Sequence, residues 1–319
     1  MRVDRIIAAG IITAACALLL AAGCAVPPAV DPRPAETAAA TSAGVPPPST
    51  FFATTDGDTD LVEVDAASGA VLRTVVDLGS PVPAGPDSGL PRTIDGLAGT
   101  PDRQTIYFSA GPEPAISTLY RVGAAGGEPE QVGQGNSPAV DGTGRHLAYA
   151  AGPRLIVRDL TTGTERSWGS AASDEFVEGP LSWEPGGTRI AFTMSSGTRQ
   201  GVGVLDTAEA GTLDGPLRFG PGGHGMFSPV LLDGSTVRAV VDCCPERAAH
   251  GIAGSEVVTV DLRSGTVTGR RALDRPVQRI VRHPSGAELL TTVPDPATGK
   301  RAVLAGAAAR LDGATFAGW

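Results

Sequence analysis

A single phrase recurs six times along this chain: a strand, an acidic or glycine turn, a second strand, then a tight polar turn. The clearest copies are Leu61-Val-Glu-Val-Asp65-Ala-Ala-Ser-Gly69, Leu155-Ile-Val-Arg-Asp159-Leu-Thr-Thr-Gly163 and Val257-Val-Thr-Val-Asp261-Leu-Arg-Ser-Gly265. Looser copies run from Leu119 to Gly126, Val202 to Gly211 and Ala302 to Ala307. Each unit is too small to bury an apolar face alone, so neighbours must stack. A period on the order of 40 to 50 residues with four strands per unit is that of a β-propeller.

The inner strands of five units read Ile94 to Ala98, Ser137 to Val140, Pro180 to Trp183, Met226 to Leu231 and Val277 to Arg282. Turn formers follow each: Thr100-Pro-Asp-Arg, Asp141-Gly-Thr-Gly144, Glu184-Pro-Gly-Gly187, Asp233-Gly234 and Pro284-Ser-Gly286. Such pairs supply the positive or preset φ that tight hairpins demand. Second strands are expected over Thr105 to Phe108, His146 to Ala150, Arg189 to Thr193, Val237 to Val241 and Glu288 to Thr292. The first unit instead opens on Thr50-Phe-Phe-Ala-Thr54, a second strand lacking an inner partner, and Ala314-Thr-Phe-Ala-Gly-Trp319 is an inner strand with nothing after it. Paired, the two complete a sixth blade and remove two sheet edges. The expected fold is therefore all-β, a six-bladed propeller over residues 50–319, closed by its own N- and C-terminal strands.

Gly187-Thr-Arg-Ile-Ala-Phe192, Gly144-Arg-His-Leu-Ala-Tyr149 and the three Asp-x-x-Ser/Thr-Gly turns resemble the TolB-like, WD40-like propeller repeats of bacterial exported proteins. The resemblance spans about Thr50 to Trp319. TolB itself has a further α/β domain ahead of its propeller that finds no counterpart here, so its partner-binding role is not carried over. Related propellers cap prolyl-oligopeptidase-like enzymes, whose hydrolase domain is likewise absent.

Residues 1–49 read differently. Arg2 and Arg5 head an apolar run from Ile6 to Ala22, followed by Leu20-Ala-Ala-Gly-Cys24. Small residues before Cys24 resemble the lipobox of bacterial lipoproteins, with Leu20 one place further from the cysteine than usual. The resemblance implies a signal peptide over 1–23 and a lipidated Cys24; an ordinary signal peptide or an uncleaved anchor are the other readings. Residues 24–49 are rich in Ala, Pro and Thr, a composition that cannot bury a core and suits a disordered tether. The expected place is the outer face of the bacterial cytoplasmic membrane, in the cell envelope. The whole chain carries a net charge of −9, and without Arg2, Asp4 and Arg5 the balance is −10. An acidic body argues against nucleic acid as partner.

Propeller geometry puts first-to-second and third-to-fourth turns on one rim, here short and regular. The opposite rim collects the long pieces: Leu78 to Arg92, Gly169 to Glu178, Ser195 to Gly201, Leu213 to Gly225 and Asp242 to Ser255. Variable loops on a rigid scaffold are where binding residues tend to lie. The candidate rim residues are Asp174, Glu175, Arg199, Arg218, His224, Arg247 and His250.

Cys243 and Cys244 are adjacent in one of these loops. In an oxidising compartment they have each other as partners, and such a bond is strained because neighbouring Cα atoms sit about 3.8 Å apart. A ligand-contacting knuckle, a redox switch, metal ligation, a stiffened loop and two idle thiols all remain open. His224 and His250 share the irregular rim, but no His-x-x-His or Cys-x-x-Cys spacing supports a metal. Asp56-Gly-Asp58-Thr-Asp60 opens like a calcium loop yet lacks the later Gly and Glu, and reads as a hairpin turn. Glycine runs fall outside any strand-to-helix junction, and no Gly-x-Ser-x-Gly elbow occurs.

No cofactor is called for. The expected function is a non-catalytic binding module for a protein, peptide or envelope component. The alternative is a metal-dependent lactonase or hydrolase using Asp95, Asp174, Glu175 and Glu178 at the central channel.

Overall fold

The computed structural model describes residues 46, 48–55, 57–79, 93–111, 117–170, 175–196, 199–213, 217–241, 254–295, 297–305 and 309–319. All that follows concerns the unit from Ala38 to Trp319.

Five antiparallel sheets account for the strands. One has the order β22 (Ala317–Gly318), β1 (Thr50–Thr55), β2 (Asp60–Asp65), β3 (Val71–Asp77). The next runs β4 (Thr93–Gly99), β5 (Thr105–Gly111), β6 (Thr118–Gly123), β7 (Glu130–Gln134), and the third β8 (Asn136–Val140), β9 (His146–Ala151), β10 (Arg154–Asp159), β11 (Glu165–Gly169). The fourth holds β12 (Glu175–Trp183), β13 (Arg189–Ser196) and β14 (Arg199–Asp206), with a bridge from Val202 to Arg218 in place of a fourth strand. The inner, second and third strands read from the repeat between residues 50 and 211 are thus present, with the inner strand expected at Ala314 to Trp319 reduced to Ala317–Gly318.

The fifth sheet is not what the repeat predicts. It has seven strands: β15 (Met226–Asp233), β16 (Thr236–Val241), β17 (Gly254–Asp261), β18 (Val267–Arg282), β19 (Glu288–Thr292), β20 (Ala302–Ala305) and β21 (Ala309–Asp312). Two units are fused because β18 runs on for 16 residues, passing through Asp274-Arg-Pro276 without a break. Its first half pairs with β17 and its second half with β19.

Packing explains why the sheets stay together. Six apolar clusters are found among the described residues, each filling the gap between consecutive repeat units. Phe52, Leu61, Val76, Ile94 and Phe108 join the first unit to the second. Tyr107, Leu147 and Tyr149 continue the series, and so do Trp168 with Phe192, Val202 with Met226, and Phe227 with Ile280. Phe51, Val64, Leu289, Val303 and Ala317 join the last unit to the first. The innermost strands neighbour one another in order, β22 with β4, β4 with β8, β8 with β12, β12 with β15 and β15 with β18, and β22 also lies beside the second strand β19.

The turns repeat their chemistry as well. The Asp65 carboxylate accepts from the backbone N–H groups of Ala67 and Ser68, Asp159 from Thr161 and Thr162, and Asp261 from Arg263 and Ser264. These bonds hold all three carboxyls below their ordinary pKa, the Ser68 hydroxyl and backbone acting first at Asp65 and the backbone bonds first at the other two. The closing glycine must be glycine. Gly69 has φ of +74°, and a Cβ there would stand 2.4 Å from the Arg310 carbonyl oxygen. A fourth copy, Asp295-Pro-Ala-Thr-Gly299, lies in the β19–β20 turn, where the repeat reading does not place one.

A second repeated device is an arginine on the outer strand that reaches the following unit. Arg73 donates to the Ala124 carbonyl at 2.5 Å, Arg166 to Thr207 at 2.6 Å and Arg218 to Leu262 at 2.7 Å. Each acceptor is the first residue after a third strand. Charge-assisted bonds of this kind contribute about 1.5–3 kcal/mol each.

Candidate functional site

The inner strands carry a break in pairing at a common level. Register shifts occur between Ile94 and Gly96, Asn136 and Ala139, Glu178 and Ser182, Phe227 and Val230, and Val277 and Arg279. A bulge re-aims side chains. Above this level, toward the N-terminal ends of the inner strands, it opens a cavity of about 350 Å³ lined by Asp58, Asp95, Glu178, Gln200, Arg279 and Arg301 with Ile94, Phe227, Thr315 and Phe316. Those strand ends belong to the rim that the sequence assigns the irregular loops.

Three carboxylates line the cavity, and each is held by neutral donors from the protein. Asp95 accepts from the hydroxyls of Ser109 and Ser117, one to each oxygen. Glu178 accepts from the Ser195 hydroxyl at 2.6 Å and the Gln200 amide at 2.8 Å, again one to each oxygen. Asp58, in the β1–β2 turn with φ of +69°, accepts from the Thr54 hydroxyl at 2.6 Å. Burial raises the pKa of both Asp58 and Asp95 above the ordinary carboxylate value, against the lowering effect of these hydroxyls. The calcium-like opening is thus a hairpin turn, as read, but its middle carboxylate belongs to the cavity wall.

The two cations stand differently. Burial pulls the Arg279 guanidinium down to about 10, partly offset by Asp95 and Asp58 and deepened by the like charge of Arg301. It lies over the Phe316 ring, 4.3 Å from the centroid. Among the described residues, neither Arg279 nor Arg301 forms an ion pair. Arg301 gives one long bond of 3.4 Å to the Thr315 hydroxyl, and its Nε is buried without a partner.

Among the described residues, the expected rim residues Glu175, Arg218 and His224 do not line the cavity. Glu175 begins β12 and accepts from the Ser170 hydroxyl, off the cavity wall. Arg218 is turned to the seam between units through its bond to Leu262. His224 is exposed, just after the 3-10 turn Pro221–Gly223. Arg199 opens β14, paired with Ser196. Asp174, Cys243, Cys244, Arg247 and His250 lie outside the described residues, as does Cys24. Of the acids considered for the enzymatic alternative, Asp95 and Glu178 do reach the cavity. Among the described residues no three His, Cys, Asp or Glu side chains converge as a metal site.

Sequence reasoning passed over Arg279 and Arg301. The signal was there for Arg279, since Val277-Gln-Arg-Ile-Val-Arg282 sets two arginines into an inner strand where the others carry no cation, only Asp95 beside Ser, Gly, Pro and apolar residues.

The opposite end of the inner strands frames a second cavity, about 410 Å³, lined by Pro138, Pro180, Pro229, Trp183, His283 and Trp319 among others. This end is rich in proline and tryptophan, with Arg103, Asp141, Glu184 and Arg282 also on its wall.

No protein-family profile matches the chain. No curated protein matches it in sequence. Among solved structures, the chain is similar to a putative TolB from Agrobacterium tumefaciens, at 14% identity and a TM-score of 0.51, over 76% of this chain and 90% of that one. The fold is a β-propeller. Lower similarities are to U3-55K (14% identity, TM-score 0.47, 68% of this chain and 62% of that) and to a chain of the mitotic checkpoint complex (12%, 0.43, 69% and 76%). The assignment of the fold rests on the first.

Proposed function

We propose that this chain is an exported, lipid-anchored, six-bladed propeller that binds a protein, peptide or envelope component without catalysing a reaction on it. Counting β18 once in each of the two units it joins gives six blades, and β22 beside β1 seals the ring. Cys24 is the anchor, and 24–49 the tether that holds the ring off the membrane. The binding face is the rim around the charged cavity.

One observation carries the reading. The cavity draws side chains from every part of the ring except the β8–β11 sheet, and its carboxylates are already engaged by hydroxyls and an amide of the protein. Acids so occupied serve to shape a surface rather than to activate water. The test is site-specific photo-crosslinking in the living envelope. Probes at Gln200 and His224 should capture one and the same partner, and probes at Gly142 and Gly186 on the regular rim should not. Equal capture from both rims, or none from either, would contradict the proposal.

A second reading has its own observation: Asp58, Asp95 and Glu178 do line one cavity, as a metal-dependent hydrolase would need. Elemental analysis of protein purified without chelators separates the two, since a stoichiometric metal favours the hydrolase.

A further inference from the structure

The charged cavity has a lopsided hydrogen-bond inventory. Its acceptors are spoken for: both oxygens of Asp95 and of Glu178, and one of Asp58, take hydroxyl or amide protons from neighbouring side chains. Its donors are not. A guanidinium offers five N–H groups. Arg279 makes no ion pair among the described residues and stacks only on Phe316, while Arg301 spends one N–H on a long bond to Thr315 and leaves Nε unpaired.

Two like charges face one cavity, and the buried Arg301 Nε has lost its hydration with no acceptor in exchange, which is costly to keep. Asp58 and Asp95 offset that charge at a distance without taking up the donors. What would complete the inventory is an acceptor that brings its own negative charge. From this juxtaposition we infer that the cavity is a carboxylate-binding site, with the anion held by Arg279 and Arg301.

The size of the charge follows from the walls. Three acids share the cavity with two cations, so the walls oppose a dianion such as phosphate about twice as strongly as a monoanion. The local attraction has to come from the guanidinium fork, which a single planar carboxylate matches. Ile94, Phe227 and Phe316 on the same wall give the carboxylate's carrier an apolar neighbour. Such a group is found at the C-terminus of a peptide with a small apolar last residue, and also in a free short-chain acid.

The inference deepens the binding role proposed above, and its test is arranged to fail separately. Isothermal titration of the full-length protein would use acetyl-Ala-Ala with a free carboxylate, the same dipeptide amidated, propionate, and inorganic phosphate. The account expects the free dipeptide to bind at least tenfold more tightly than its amide and than phosphate. Propionate binding as tightly as the dipeptide, or more tightly, would assign the site to a free acid, and the dipeptide binding more tightly than propionate to a peptide end. Arg279→Met and Arg301→Met should each weaken binding tenfold or more while Glu130→Gln, on the outer strand β7, leaves it unchanged. If Arg279→Met does not fold, Arg279→Lys and Arg301→Met carry the test, read beside an unchanged melting curve. Equal affinity for carboxylate and amide, or full affinity in both arginine variants, overturns the inference. Envelope crosslinking from Gln200 that persists in Arg279→Met would retire the carboxylate site and leave the binding role standing.

Discussion

Phe51 and Trp319 meet edge to face with ring centroids 6.0 Å apart, though nearly the whole described chain separates them. Around them Phe52 pairs with Gly318 and Ala53 with Ala317, and the Thr54 amide donates to the Phe316 carbonyl at 2.9 Å. The Thr54 hydroxyl accepts from the amides of Thr315 and Phe316 and donates to Asp58. The contact that joins the ends therefore also fixes a wall of the charged cavity. Phe51→Ala empties a fully buried aromatic position. It should cost about 3–5 kcal/mol, measured by urea unfolding, and a loss under about 1 kcal/mol would speak against the contact.

Glu288 ties two units together. Its carboxylate meets Arg238 at 2.6 Å and Arg271 at 2.7 Å, with Arg238 and Glu288 both largely buried. Glu288→Gln leaves two arginines facing a neutral amide, so the expected loss is about 3 kcal/mol. Urea unfolding again reports it, and Arg238→Met together with Glu288→Leu should recover much of the loss.

Asp95 is an acid whose burial disfavours ionisation. Its pKa in the folded chain stands above the ordinary 3.8, so folded protein binds the proton more tightly than unfolded. Stability from this group is therefore greatest in acid and declines as pH rises from about 4 through the folded value. Asp95→Asn removes that decline. Thermal melts of the two proteins should converge near pH 4 and favour the variant at pH 7, and a variant weaker at pH 7 would reverse the sign assigned here.

Gly69→Ala asks a side chain to sit at positive φ against the Arg310 carbonyl. The expected cost is above about 1 kcal/mol. Gly57→Ala shares the positive φ but meets nothing within 4 Å, so it should cost less. Equal losses would mean that the seam between Gly69 and Arg310 is not formed.

Much of the fold could be read from the chain because its period is local chemistry. Asp, Ser or Thr, and Gly at fixed offsets build the same turn wherever they occur, and strand alternation follows from burial on both sides. The pairing of Thr50–Thr55 with the last residues was legible too, because an unpartnered strand at each end leaves one economical solution. The continuous β18 was not, since pairing with β17 and then β19 depends on what lies beside it. The cavity was legible only in part. Asp95 and Glu178 stood out as acids near inner strands, whereas Arg301 precedes an ordinary third strand and becomes a cavity residue only when Thr315 closes over it. Arg218 misled for a related reason: its loop suits a binding rim, but the Leu262 carbonyl of the next unit claims its guanidinium.

Removal of residues 314–319 tests the sealed ring most directly, by calorimetric melting of the shortened and full-length proteins. Loss of β22, the Phe316 and Trp319 contacts and the Thr54 bonds predicts a transition at least about 10 °C lower, since each 1 kcal/mol shifts a domain of this size by roughly 2–4 °C. A shortened protein that melts within about 2 °C of the full-length chain would contradict a ring closed by its two ends.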